Sequence, residues 1–174
     1  MSTVSLSLDE IFDLAKKTLL ANGCDDETAS TLSDLIRNAE RDGSLSHGLF
    51  RLPAYVSGLK SGKINGKGKP EVQKVSPSVI KVKGNNCLAP VVLSKGLPEL
   101  AKAAKENGVA VLAINNSHHM AAMWPETEKL AEEGLVAFAC TSYKPAVAPA
   151  GAIKPLFGTN PISFAWPRPG KTPV

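Results

Sequence analysis

The chain has 174 residues, a mass of 18.3 kDa, a net charge of +4 and a pI near 9.0. With 43% hydrophobic and 21% charged residues the composition is globular, which excludes a wholly disordered chain. No apolar run approaches the roughly 18 residues that span a bilayer. No basic stretch followed by an apolar one marks a secretory signal at the N-terminus. Cys24, Cys87 and Cys140 are widely spaced and form no CxxC pair. Neither a disulfide framework nor a zinc ribbon is expected, and free thiols in a cytoplasmic protein fit best.

The charge excess is local. Between Lys60 and Lys83 lie seven lysines and one acid, Glu71. The block has no arginine, no aromatic residue on which a base stacks, and no helix-turn-helix or zinc spacing. It reads as a solvated hairpin surface, with neither nucleic acid nor membrane as a partner.

In chain order, Ser7 with Glu10 three residues later makes a capping box that opens a first helix. Leu8, Ile11, Phe12, Ala15 and Leu19 share its inner face, and Asn22-Gly23 ends it. Asp25 or Asp26 caps a second helix with Ala29, Leu32, Ile36 and Ala39 inward, closed by Gly43. A third helix is expected from near Gly48 to about Lys60, because Pro53 is tolerated only in a first turn. Residues 64–70 are a loop. Glu71–Val75 and Val79–Val82 form a hairpin across Ser76-Pro77. Residues 91–107 are a helix that Pro98 should kink or interrupt. Val109–Ile114 and Leu135–Thr141 read as buried strands, with a helix at Pro125–Glu133 between them as a crossover unit. Ile162–Trp166 is a last strand. The turn-rich stretch after it, and a stop at Val174 where another strand would start, read as the front part of a longer protein.

Three constellations carry polar chemistry. In Ser46-His47-Gly48-Leu49-Phe50-Arg51, histidine and arginine four apart on a helix share one face, roughly 6 Å apart. Arginine clamps a carboxylate with two parallel hydrogen bonds, and histidine delivers a proton near neutral pH. The structural alternative is a capping serine, a surface histidine and an arginine paired with Asp42 or Glu40. Asn115-Asn116-Ser117-His118-His119 follows a strand, where open α/β folds bind ligands. No acid or cysteine at ligand spacing accompanies the paired histidines, so no metal is expected and a cofactor-contacting loop is the functional reading. Pro155-Leu156-Phe157-Gly158-Thr159-Asn160-Pro161 reads as a turn before a strand. The GxGxxG fingerprint is absent.

The segments Arg41–Val56, Asn116–His119 with Trp124-Pro125, and Lys154–Ile162 resemble the malate/L-lactate dehydrogenase family of non-Rossmann oxidoreductases. Arg41-Asp42-Gly43 before Ser46-His47-Gly48, and Trp124-Pro125 after the histidine pair, favour the cyclic imino acid reductase branch. The resemblance implies a mixed α/β fold, of which this chain holds an incomplete part. Residues 1–70 would be a mainly helical segment with substrate residues, and 71–174 the front of the nucleotide-binding domain. It implies NADPH-dependent reduction of cyclic imino acids, with NADH possible as donor, and a homodimer at full length. It implies Ser46 and His47 as catalytic, Arg51 and Thr159 as substrate-binding, and His119, Met120, Ala121, Ala122 and Met123 as cofactor-binding. Met120 departs from a common phenylalanine, and Met123 from a common leucine. The alternatives are a keto acid dehydrogenase of malate or lactate type, and a non-catalytic truncated product.

Overall fold

The structure is a computed structural model that describes residues 4–118 and 121–174. These fall into two compact units, 1–122 and 123–174. The change from helical to β-rich chain near residue 70 lies inside the first unit.

The first unit opens with α1 (Leu8–Ala21). Its capping box is formed: the Glu10 amide donates to Ser7 Oγ, and the Ser7 amide donates to the Glu10 carboxylate. α2 (Asp26–Arg41) is capped by Asp25, which accepts the Thr28 amide at 2.9 Å. Ile11, Ala15 and Leu19 of α1 pack with Ala29, Leu32 and Ile36 of α2 in one apolar cluster. Leu8, expected inward, is exposed.

Asp25 also accepts from Lys69 Nζ at 2.9 Å, tying the cap to the following loop. Partial burial pushes the Asp25 carboxyl upward, but the Thr28 amide and the Lys69 ammonium outweigh it and hold the group below the usual carboxylate range. A depressed pKa stabilises the fold above the unfolded value and loses that contribution as pH falls through the folded one. Asp25→Ala is therefore expected to cost about 1 kcal/mol near neutral pH. The urea midpoints of parent and variant should converge as the pH falls to about 2.

The third helix starts later than its sequence suggests. Leu45–His47 and Leu49–Arg51 are separate 3₁₀ turns, and α3 runs only over Leu52–Lys60. Gly48, with ψ −136°, breaks the helical path between them. Pro53 still sits in the first turn of α3. Leu52 and Tyr55 of α3 complete the apolar cluster together with Ile64 and Leu88.

β1 (Glu71–Ser76) and β2 (Val79–Lys83) form the expected antiparallel hairpin. α4 (Ala89–Asn107) runs through Pro98 without interruption. Val91 and Val92 before the proline, and Ala103 after it, are buried against Ile80 and Val82, and this packing outweighs the hydrogen bond that proline forfeits. β3 (Val111–Asn115) pairs parallel with β2, in the order β1-β2-β3. The crossover unit is thus β2-α4-β3, and not the 109–141 stretch. One face of β2 is buried under α4, whereas Val109 and Val111 are exposed, which corrects the expectation of a buried strand.

The second unit holds α5 (Trp124–Glu132), β4 (Ala137–Cys140) and β5 (Ile162–Ala165). β4 pairs antiparallel with β5 rather than with β3. Ala137 and Ala165 are buried on the face that carries Ser163, whose hydroxyl meets Thr127 of α5 at 2.7 Å. The opposite face exposes Phe138, Cys140, Ile162 and Phe164, so β4 too is only half covered. Cys24, Cys87 and Cys140 are all free thiols. Burial, with the Asp25 carboxylate beside it, pushes the Cys24 thiol up to about 11 and keeps it protonated. No helix among the described residues is long and apolar enough to cross a membrane.

Candidate active site

The strongest constellation is built where α2 ends. The chain turns at Gly43, then closes two 3₁₀ turns with amide bonds from His47 to Ser44 O and from Arg51 to Gly48 O. His47 lies in the first turn and Arg51 in the second, so they do not share an α-helical face as spacing alone suggests. The structure instead brings two hydroxyls to one ring nitrogen. Ser46 Oγ lies 3.0 Å from His47 Nδ1 and Ser44 Oγ 3.3 Å from it. A hydroxyl both donates and accepts, so it stays bonded to Nδ1 whether or not that nitrogen carries a proton. That suits an imidazole that gains and loses a proton.

Arg51 has a different environment. Its Nε is buried and has no hydrogen-bond partner among the described residues. Neither acid that could have paired with it does so. Asp42 is held by Arg41 at 2.7 and 3.1 Å, and Glu40 accepts the Leu49 amide. Leaving a buried guanidinium donor unmet is costly, and guanidinium groups pair with carboxylates through parallel N–H groups. One turn on in α3, Tyr55 is fully buried. Burial pushes its hydroxyl up to about 12 against the opposing pull of the Arg51 charge, so the phenol stays neutral beside the guanidinium.

Three contributors escape sequence reasoning. Ser44, three residues before His47, had a readable spacing. Tyr55, four after Arg51, also had one. Glu40 enters the sequence reading only as a partner for Arg51, and its actual partner, the backbone amide of Leu49 nine residues on, leaves no signal.

The remaining predicted residues lie elsewhere. Asn116 follows β3 with φ +51°, and the loop is pinned to the end of β2 by Gly84 N–H to Asn115 O and Asn86 N–H to Asn116 O, both 2.8 Å. His118 donates its amide to Cys87 O and accepts that of Ala89. The ends of two parallel strands and the start of α4 therefore meet at this loop. His119 and Met120 lie outside the described residues. Ala121 and Ala122, in the first unit, and Met123, in the second, are buried. Thr159 belongs to the second unit and is exposed between Gly158 and Asn160. A side chain at Gly158 would strike the Tyr143 carbonyl, and Asn160 Oδ1 accepts the Tyr143 amide at 3.0 Å, so the turn carrying Thr159 is tightly fixed. A groove of 520 Å³ is lined by Glu71, Gln73, Lys81, Lys83, Asn115 and Asn116 with Val72; none of Ser46, His47 and Arg51 lines it.

A helical cluster carrying a serine-bound histidine and an arginine whose buried Nε has no hydrogen-bond partner among the described residues, ahead of a β2-α4-β3 unit with no dinucleotide fingerprint, defines a class. Residues 6–174 match the malate/L-lactate dehydrogenase family, and the chain belongs to it. The chain is 42% identical over 172 residues to the Δ1-pyrroline-2-carboxylate/Δ1-piperideine-2-carboxylate reductase of Pseudomonas syringae pv. tomato, covering 99% of this chain and 50% of that protein. It is 40% identical over 173 residues to Δ1-pyrroline-2-carboxylate reductase 1 of Burkholderia ambifaria, covering 99% of this chain and 51% of that protein. Among solved structures, the Δ1-piperideine-2-carboxylate reductase of P. syringae superposes with a TM-score of 0.92 at 42% identity, over 99% of this chain and 52% of that one. Malate dehydrogenase of Pyrococcus horikoshii OT3 gives a TM-score of 0.90 at 32% identity, over 98% of this chain and 49% of that one. The chain spans about half the length of the curated relatives it matches. The mixed α/β fold expected from the sequence is the fold of this family, over the part that the chain covers.

Proposed function

We propose that the whole protein reduces cyclic imino acids, Δ1-piperideine-2-carboxylate to pipecolate and Δ1-pyrroline-2-carboxylate to proline, with NADPH as the donor. The observation that carries the reading is the buried Nε of Arg51, without a hydrogen-bond partner among the described residues, one 3₁₀ turn from His47. Such a pair takes a carboxylate on one side and handles a proton on the other. The choice of imine over keto acid is supported by the relatives named as reductases of these imines at 42% and 40% identity, against 32% for the malate dehydrogenase.

In this reading Arg51 anchors the substrate carboxylate through its planar fork. His47, steadied at Nδ1 by Ser46 and Ser44, gives a proton from Nε2 to the imine nitrogen as the neighbouring carbon receives hydride. Thr159, on its fixed turn, is assigned a further substrate contact by the resemblance. Residues 119–123 are assigned to the dinucleotide. When bound, the nicotinamide supplies the hydride. NADPH as the preferred donor and a homodimer are read from the same resemblance, and a cytoplasmic location from the unpaired spacing of Cys24, Cys87 and Cys140.

The test follows NADPH absorbance with the whole protein, offering a cyclic imine and a 2-keto acid side by side. Imine-dependent oxidation with little keto acid turnover is expected. Keto acid turnover above that of the imine would give the site to the malate or lactate type, and turnover of neither would overturn an enzymatic role.

A further inference from the structure

α2 carries an acid where a helix least favours one. Glu40 is its penultimate residue, near the negative end of the helix dipole. Its carboxylate is nevertheless well used. Oε1 accepts the Leu49 amide at 2.7 Å. That amide opens the second 3₁₀ turn, where no backbone acceptor within the turn is available to it. The same carboxylate fills the space beside Gly48 Cα, so a Cβ at position 48 would collide with Oε1 and with the carboxyl carbon. Gly48 is buried, and it is the joint between the turn holding His47 and the turn holding Arg51.

We propose that Glu40 is a positioning residue which sets the separation of His47 and Arg51 by clamping the Gly48–Leu49 joint. This rests on the reading of those two residues given above. Among the described residues, the backbone hydrogen bonds at the joint are short-range ones, from the Gly48 amide to Leu45 O at 3.3 Å and from the Arg51 amide to Gly48 O at 3.0 Å. Two 3₁₀ turns linked through a glycine hinge have little stiffness of their own. A charged acceptor from a neighbouring α-helix supplies it. The consequence concerns ligand fit: anchor and proton carrier stay at one spacing before substrate arrives.

The experiment uses the full chain and pyrrole-2-carboxylate, a flat unreactive ring carboxylate, with affinity read by NMR titration. Glu40→Ala is expected to weaken binding about tenfold, the scale of one lost charged hydrogen bond. Glu40→Gln keeps an acceptor oxygen of the same reach and should bind within about twofold of the parent. Gly48→Ala should weaken binding in the parent, since its Cβ displaces the carboxylate, and should weaken it less in the Glu40→Ala background, where the carboxylate is gone. If Glu40→Ala does not fold, Gly48→Ala reads the same contact. Parent-like binding by Glu40→Ala, or equal losses from Gly48→Ala in both backgrounds, would overturn the clamp while leaving the carboxylate site standing. Glu40→Gln as weak as Glu40→Ala would overturn it as well. A parent chain that does not bind the probe overturns the carboxylate site, and the clamp with it.

Discussion

Arg51→Lys in the whole protein is expected to raise KM and to lower kcat/KM by roughly 10²-fold. The substitution keeps the charge, so the long-range field on an anionic substrate changes little. What it removes is the planar fork. Arg51 Nε is buried and unmet among the described residues, so the donor beside the chain stem has an unused hydrogen bond for a carboxylate seated against it. Lysine has no donor at that position and offers a single ammonium in place of two parallel N–H groups. Tyr55 beneath it stays neutral in either case, its hydroxyl being pushed up to about 12 chiefly by burial, so the packing under the site survives. Steady-state kinetics check the expectation. Constants within about twofold of the parent would remove Arg51 from the site.

His47→Asn is expected to leave NADPH affinity unchanged, as read by nucleotide fluorescence, and to lower kcat by roughly 10²-fold or more. Asparagine retains a hydrogen-bonding group near the place where Nδ1 meets Ser46 and Ser44, so the turn keeps its form. It has no titration near neutral pH and passes on no proton. A variant with parental turnover would leave His47 as a turn residue only.

Much of the first unit is legible from its sequence, and particular residues show why. Ser7 with Glu10, and Asp25 before Thr28, are local signals whose hydrogen bonds close within three residues. The apolar stripes of α1 and α2 follow the helical repeat that burial against each other demands. Sequence reading fails where the deciding partner is distant. The strand-helix-strand order occurs both around α4 and around α5, and only the pairing of Ile80 with Leu112 and of Phe138 with Phe164 shows which of them is a crossover. Apolar runs such as Val109–Ile114 announce a strand but not how many of its faces are covered.

The site is legible in its residue types and not in its geometry. Ser46, His47 and Arg51 stand out by chemistry. Their spacing suggests one helical face, yet Gly48 splits them into two turns. The decisive property of Arg51, a buried donor without an acceptor among the described residues, depends on where Asp42 and Glu40 spend their charge. No periodicity records that Asp42 meets Arg41 or that Glu40 reaches the Leu49 amide.

A carboxylate receptor at Arg51 is tested most directly by the ¹⁵Nε–Hε signal of that residue in the full chain, followed as pyrrole-2-carboxylate is added. Its buried Nε–H should move in a saturable way as it gains an acceptor, while the corresponding signals of Arg37, Arg41 and Arg168 stay in place. An Arg51 signal that stays still at saturating carboxylate, or that moves only in step with exposed Arg168, would contradict the assignment.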